Sequence, residues 1–354
     1  MRAHLRTAVI VACTVGLLAL FLRNANLAEV AGEIRNAAPG DLLLALAATG
    51  LTYVLRAYRW QAMLQPIGRV PFGLAFRTTV IGFAANTLLP ARVGEVLRPY
   101  LLARRSRLSA TAAFATIIVE RMLDVVTILA LFGAFVLFFD PGAARANPAV
   151  YAAVKTGGGF AAIGAAVGLL VMFVLAGHPE RIGRTLQRAE RVLPPRLAHV
   201  VARLGRTFAE GLAVMRRPGP LVASLALSFP VWLSIATTIW LSARAFHITM
   251  PFAASFLVVA ILAVGVSVPT PGAVGGFHYA FRVAATSFFG APNDRAVGAA
   301  IVLHAISFVP VAIVGAFFMF QDGLDFTRVR ALAGEAEPLG PGAGDAPGGK
   351  GAAP

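Results

Sequence analysis

Apolar residues run almost unbroken through six stretches of this chain, near 7–22, 42–64, 109–139, 157–176, 220–245 and 296–321. Runs of this kind are expected to be membrane-crossing helices, because lipid leaves no water to satisfy an exposed backbone. Two further apolar stretches, 73–104 and 252–289, are interrupted midway. The first breaks at Leu89-Pro90-Ala91-Arg92-Val93-Gly94 and the second at Pro269-Thr270-Pro271-Gly272-Ala273-Val274-Gly275-Gly276. Proline removes a backbone donor and clashes with the preceding turn, and glycine is a poor helix former, so no straight helix is expected through either break. Half-helices of about 14 residues reach only ~21 Å, short of the ~30 Å hydrocarbon core. Each broken stretch is therefore expected to enter and leave on one side, as a re-entrant hairpin.

The charges between the stretches agree with that count. With the N-terminus placed inside by Arg2 and Arg6, span 42–64 returns to Arg56, Arg59 and Arg69. A hairpin at 73–104 then lands beside Arg104, Arg105 and Arg107. The segment 178–218, with nine arginines, falls on the same side. Making either hairpin a single crossing would move a basic loop or the tail to the wrong face. The order span, span, hairpin, span over 7–139 recurs over 157–321 with opposite orientation, and both breaks read P-x-x-V-G, at Pro90–Gly94 and Pro271–Gly275. The expected fold is an all-α polytopic membrane protein, with about six full transmembrane helices plus two oppositely oriented re-entrant helical hairpins in an inverted repeat. It occupies residues 1–326, and the Gly-, Ala- and Pro-rich tail 327–354 is expected to be disordered and cytoplasmic.

Composition narrows the class. Hydrophobic residues make up 58% and charged residues 13%, and no stretch before the tail could form a separate soluble domain. The net charge of +15 comes almost wholly from arginine, since Lys155 and Lys350 are the only lysines. These cations lie between spans rather than on one basic face, which favours membrane orientation over nucleic-acid binding. The single cysteine, Cys13, sits in the first span, a retained signal anchor by this reading, and excludes an intrachain disulfide.

Ionisable groups inside spans are functional candidates, because each costs roughly 2.5–3.5 kcal/mol on insertion scales. Glu120 and Asp124 share one face of the 109–139 helix, with Arg121 one step round it. Arg92, Glu95 and Arg98 flank the first break. One economical arrangement pairs Glu120 or Asp124 with an arginine of that hairpin; the same charges can equally be internal ion pairs that hold a broken helix in place. Half-helices starting near Val93 and Val274 would aim their N-termini at the membrane interior, and such ends with nearby arginine suit a phosphate. Lipids combine phosphate with an apolar body. His278 can be a structural hydrogen-bonder or a group titrating beside phosphate. Arg56, Arg59 and Trp60 are expected to form an interfacial anchor. No metal site, cofactor motif, Walker loop, nucleophile elbow or HExxH is present.

The string NTLLPARVGEVLRPYLLARR, with VERMLDVVTIL after it, resembles the flippase region of lysylphosphatidylglycerol synthase/flippase proteins and related stand-alone flippase-like membrane proteins. The core N-x-x-x-P-x-R-x-G-E-x-x-R falls on Asn86, Pro90, Arg92, Gly94, Glu95 and Arg98. E-R-x-x-D falls on Glu120, Arg121 and Asp124, P-x-P-G-x-x-G on Pro269, Pro271, Gly272 and Gly275, and R-W on Arg59 and Trp60. The resemblance covers roughly 7–321 and implies a lipid-flipping or lipid-handling fold with two hairpins. Only a short tail follows residue 321, so aminoacyl transfer from tRNA is not expected, and His278 stands where the family usually has glutamate.

The expectation is a protein of the bacterial or archaeal cytoplasmic membrane, both termini cytoplasmic, that translocates or binds an anionic lipid. Asn86, Arg92, Gly94, Glu95, Arg98, Pro271, Gly272, Gly275 and His278 would contact the head group, and Glu120, Arg121 and Asp124 would gate or couple. A membrane enzyme modifying a lipid head group, with Glu95 or Asp124 as base, and a non-catalytic scaffold are the alternatives. The expected partners are an anionic lipid, a separately encoded lipid-modifying enzyme and further copies of the chain; nucleic acid is excluded.

Overall fold

The computed structural model describes residues 2–89, 92–139, 147–177, 212, 217–268 and 270–323, and every regular element among them is helical. The unbroken stretches become α1 (Arg2–Leu22), α3 (Pro39–Leu64), α6 (Ala110–Ala134, continued by a π-helical turn Phe135–Phe139), α7 (Pro148–Gly177), α8 (Pro218–Ala245) and α11 (Asn293–Gln321). The broken stretches become two helix pairs, α4 (Phe72–Leu88) with α5 (Gly94–Arg105), and α9 (Ala254–Ser267) with α10 (Gly276–Phe289). A short helix, α2 (Leu27–Arg35), joins α1 to α3. Five helices, α3, α6, α7, α8 and α11, are long and apolar enough to cross a membrane, and α1 with α2, bent by 77° at their junction, makes a sixth by the same measure. The basic segment 178–218, apart from Leu212, Arg217 and Pro218, and the tail 327–354 lie outside the described residues.

The breaks follow from local backbone chemistry. A residue before proline is pushed out of the helical region by the ring. Leu89, Val268 and Thr270 each precede a proline, and all three are extended, with ψ of 147°, 123° and 146°. Recovery from the turns needs left-handed backbone at Arg92 (φ 53°), Gly272 (φ 59°), Ala273 (φ 57°) and Gly275 (φ 88°). Non-glycine residues in that region cost on the order of 1–3 kcal/mol and concentrate at functional sites.

Each pair is closed by two glycines meeting face to face. A Cβ on Gly94 would lie 1.8 Å from the Gly82 carbonyl oxygen, and one on Gly276 would lie 2.2 Å from that of Gly265. The spacing is nearly the same in both, and in each pair one glycine begins the second helix. The matching position in the second break is thus Gly276, one residue beyond the Gly275 that the P-x-x-V-G alignment selects.

The rim contacts show where these pairs start and finish. Arg77, early in α4, and Arg105, at the end of α5, share the Asp322 Oδ1 at the C-terminal end of α11, at 2.5 and 2.6 Å. At the other end, Arg282 of α10 donates to the Leu20 and Phe21 carbonyls at 2.9 and 2.8 Å, capping α1 with a cation. Arg244 pairs with Asp41, and Arg295 with Glu33 at 3.0 Å.

Within the bundle, α3 pairs most extensively with α8, and α11 runs along both α4 and α10. The segment between the first two apolar stretches is not a plain connector but holds α2. Its signal is an asparagine N-cap: the Asn26 side chain accepts from the Ala28 N–H at 3.1 Å and donates to Glu29 Oε1 at 3.1 Å, while the Asn26 backbone N–H donates to Asp294 at 2.8 Å. Val30 and Ile34 then pack over Gly298 of α11.

Candidate functional site

A cavity of about 520 Å³ lies where the two breaks approach one another. Thr87, Leu89, Arg92 and Glu95 come to it from the first break, and Val268, Thr270, Gly272 and Ala273 from the second. The breaks touch directly. Gly272 sits so close that a Cβ would be 3.2 Å from the Thr87 carbonyl oxygen, and Arg92 donates across to the Val266 carbonyl at 3.0 Å. Helices α3, α6, α8, α9 and α11 supply the remaining walls, including Arg56, Arg121, Asp124 and Trp232.

A buried charge cluster backs one wall. Glu120 and Asp124, one turn apart on α6, point the same way and are met by arginines from two other helices. Arg59 of α3 donates to Glu120 at 3.0 Å and to Asp124 at 2.6 Å, and Arg98 of α5 donates to Glu120 at 3.1 Å. Arg121 closes the cluster at 2.5 Å from Glu120 and 3.3 Å from Asp124. Neutral groups fix its shape. Trp232 Nε1 donates to Asp124 at 2.9 Å, Ser228 accepts from Arg59 at 3.0 Å, and Trp60 Nε1 donates to Thr116 while its ring carries the Arg98 guanidinium 3.7 Å away. Buried charges are tolerated only when paired and hydrogen-bonded in this way.

The pairing is incomplete. Arg56 lies over Phe83 and Trp232, at 4.7 and 5.9 Å from the ring centroids, and its buried Nη1 has no hydrogen-bond partner among the described residues. Four guanidiniums, Arg56, Arg59, Arg98 and Arg121, thus stand against two carboxylates, Glu120 and Asp124. Arg92 and Glu95, 3.9 Å apart, offset one another. The cavity wall carries surplus positive charge.

A family model described as the lysylphosphatidylglycerol synthase transmembrane region matches residues 5–315. The chain belongs to that family. Among its relatives is a UPF0104 membrane protein of Methanothermobacter thermautotrophicus, 24% identical over 312 residues that cover 81% of this chain and 87% of the relative. The glycosyltransferase AglD of Haloferax volcanii is 30% identical over 121 residues, 34% of this chain and 19% of that protein.

The family motifs land unevenly around the cavity. Asn86, Arg92, Glu95 and Gly272 line it, as do Arg121 and Asp124. Gly94 and Arg98 line a small adjoining hollow that shares Asn86, Glu95 and Arg121 with the cavity. Glu120 is fully buried behind the wall. Pro271, Gly275 and His278 are not among the lining residues. Gly275 is turned towards Leu17 of α1, and His278 Nδ1 accepts from the Gly275 N–H at 3.4 Å while its ring stacks on His304 at 4.4 Å. His304 in turn donates from Nε2 to the Gly272 carbonyl at 2.8 Å, so the two histidines brace the second break. Leu17 and the two histidines therefore crowd the turn into α10, although Phe277 in its first turn still lines the cavity, as Glu95 does in the first turn of α5.

The interfacial anchor expected at Arg56, Arg59 and Trp60 is a correction. Arg59 and Trp60 are completely buried and Arg56 is nearly so, because the facing carboxylates, hydroxyls and rings take them into the bundle. A signal for this exists in the sequence. Thr49, Thr52, Arg56 and Arg59 are spaced three, four and three apart, a polar stripe down one face of α3. It meets a stripe of α8, with Thr52 to Ser234 at 2.8 Å and Thr49 to Thr238 at 3.4 Å.

Proposed function

We propose that this protein holds the head group of an anionic membrane lipid in the cavity and carries it between the leaflets. The observation behind the reading is the unbalanced cationic wall of a cavity that lies between two broken helices. An uncompensated buried charge is costly, so the site is best completed by an anion. A phosphate on a lipid supplies one together with an apolar body for the surrounding residues Ile128, Ile235, Ile239 and Leu262, which also line the cavity.

Two further features support a transport architecture. Both ends of the α4–α5 pair meet the same Asp322, which favours a segment that turns back within the membrane. The α9–α10 pair is tied to the opposite rim through Arg282. Two like-built hairpins opening to opposite sides are the arrangement of an inverted repeat, whose breaks flank the substrate in transporters of that design. In this reading the protein sits in the cytoplasmic membrane with both termini inside, and Arg56, Arg92 and Arg121 meet the head group while Glu120 holds the cluster. A scaffold would have no use for a cavity with unpaired guanidinium, which sets that alternative behind.

The test is translocation of fluorescent anionic phospholipid in proteoliposomes, read by quenching of the outer leaflet. Arg56→Ala and Arg121→Ala should each slow it by about tenfold or more, the loss of one charge-assisted contact. Wild-type rates in both variants would remove the proposal.

A further inference from the structure

Resting on the anionic-lipid reading, we infer that the cavity selects lipids whose phosphate is a monoester, with two negative charges, over lipids whose phosphate is a diester, with one. The charge arrangement carries the inference. Four guanidiniums face two carboxylates in the cluster, and the Arg92–Glu95 pair adds nothing net, so the surplus is two. A monoester phosphate ionises a second time near pH ~6 and is mostly dianionic at neutral pH. It completes the balance. A diester leaves one cation of the cluster uncompensated, in surroundings where that is expensive.

Geometry adds to the charge count. Arg56 lines the cavity, held against Phe83 and Trp232, and its buried Nη1 has no hydrogen-bond partner among the described residues. Arg121, also on the cavity wall, offers a second guanidinium. A terminal phosphate has three free oxygens to share between two such forks, whereas a diester has two and carries a second ester group that must also be housed. The apolar lining from α6, α8 and α9 receives the first carbons of the chain, which separates a lipid from free phosphate.

The experiment measures binding to the full-length protein in micelles by calorimetry, with farnesyl monophosphate, a short-chain phosphatidylglycerol and inorganic phosphate as probes. The monoester lipid should bind at least about tenfold tighter than the diester, as one charge-assisted contact predicts. Inorganic phosphate should be the weakest. Arg56→Gln lowers the surplus to one without stripping any carboxylate of its partner, and should erase or invert the preference, while Arg56→Lys should keep it. Equal or tighter binding of the diester by the wild type, or an undiminished preference in Arg56→Gln, overturns the inference and leaves the lipid reading intact. Inorganic phosphate binding as tightly as farnesyl monophosphate overturns it by removing the lipid. Failure of both lipids to bind sinks the anionic-lipid reading itself.

Discussion

Replacing Glu120 by glutamine is the sharpest probe of the charge cluster. Its carboxylate is fully buried and accepts from Arg59, Arg98 and Arg121, at 3.0, 3.1 and 2.5 Å. Each contact between opposite charges near 4 Å is worth about 4 kcal/mol at an effective dielectric of about 20, against a desolvation cost of several kcal/mol per ion. The pairs together therefore come near to balance, but the variant does not. Glutamine keeps the shape and removes the charge, leaving Arg98 with no carboxylate and raising the cationic surplus from two to three. Removing one partner of a buried pair costs about 3–5 kcal/mol. Glu95→Gln is the matched control, since Glu95 is partly exposed and 3.9 Å from Arg92, and a pair of that kind contributes about 0–1 kcal/mol. Denaturant unfolding in micelles, followed by tryptophan fluorescence, measures both; Trp60 and Trp232 report from the cluster itself. A loss below about 1 kcal/mol for Glu120→Gln, or one no larger than that for Glu95→Gln, would refute the view that this carboxylate holds three helices together.

Other expectations test the hairpins and the packing. Gly94→Ala and Gly276→Ala each drive a methyl into a facing backbone carbonyl and should destabilise by about 1–3 kcal/mol or more, while Gly133→Ala, which meets nothing within 4 Å, should be neutral or better in the same unfolding assay. In a chain with Cys13 replaced, single cysteines at Gly73 and Arg104 should react with a membrane-impermeant thiol reagent from the same side of sealed vesicles; labelling from opposite sides would end the hairpin reading. Trp60→Phe loses the hydrogen bond to Thr116 and weakens the ring under Arg98, for a destabilisation of about 1–2 kcal/mol by unfolding.

The helices and their interruptions were legible in the chain because they depend on local chemistry. Apolar length set α3, α6, α8 and α11 to within a few residues, and prolines at 90, 269 and 271 placed both breaks by forcing the residue before each one out of helical backbone. The N-cap at Asn26 and the polar stripe of α3 were equally local, and were there to be read.

What the packed molecule alone decided is which charge meets which. Arg59 and Glu120 are 61 residues apart in the chain and 3.0 Å apart in the fold, and Arg56, three positions from Arg59, has no such partner among the described residues. Hydropathy treats an arginine near a helix end as an anchor at the membrane surface, because it counts the cost of burying a charge and not the relief supplied by a carboxylate from another helix. The same holds at the second break. The motif residues Gly275 and His278 suggested contact with a ligand, yet the approach of α1 and His304 turned them into supports. A local pattern specifies how the backbone must bend; the assignment of a charged or polar side chain to lipid surface, ion pair or cavity is a sum over neighbours distant in sequence, and only the assembled bundle contains it.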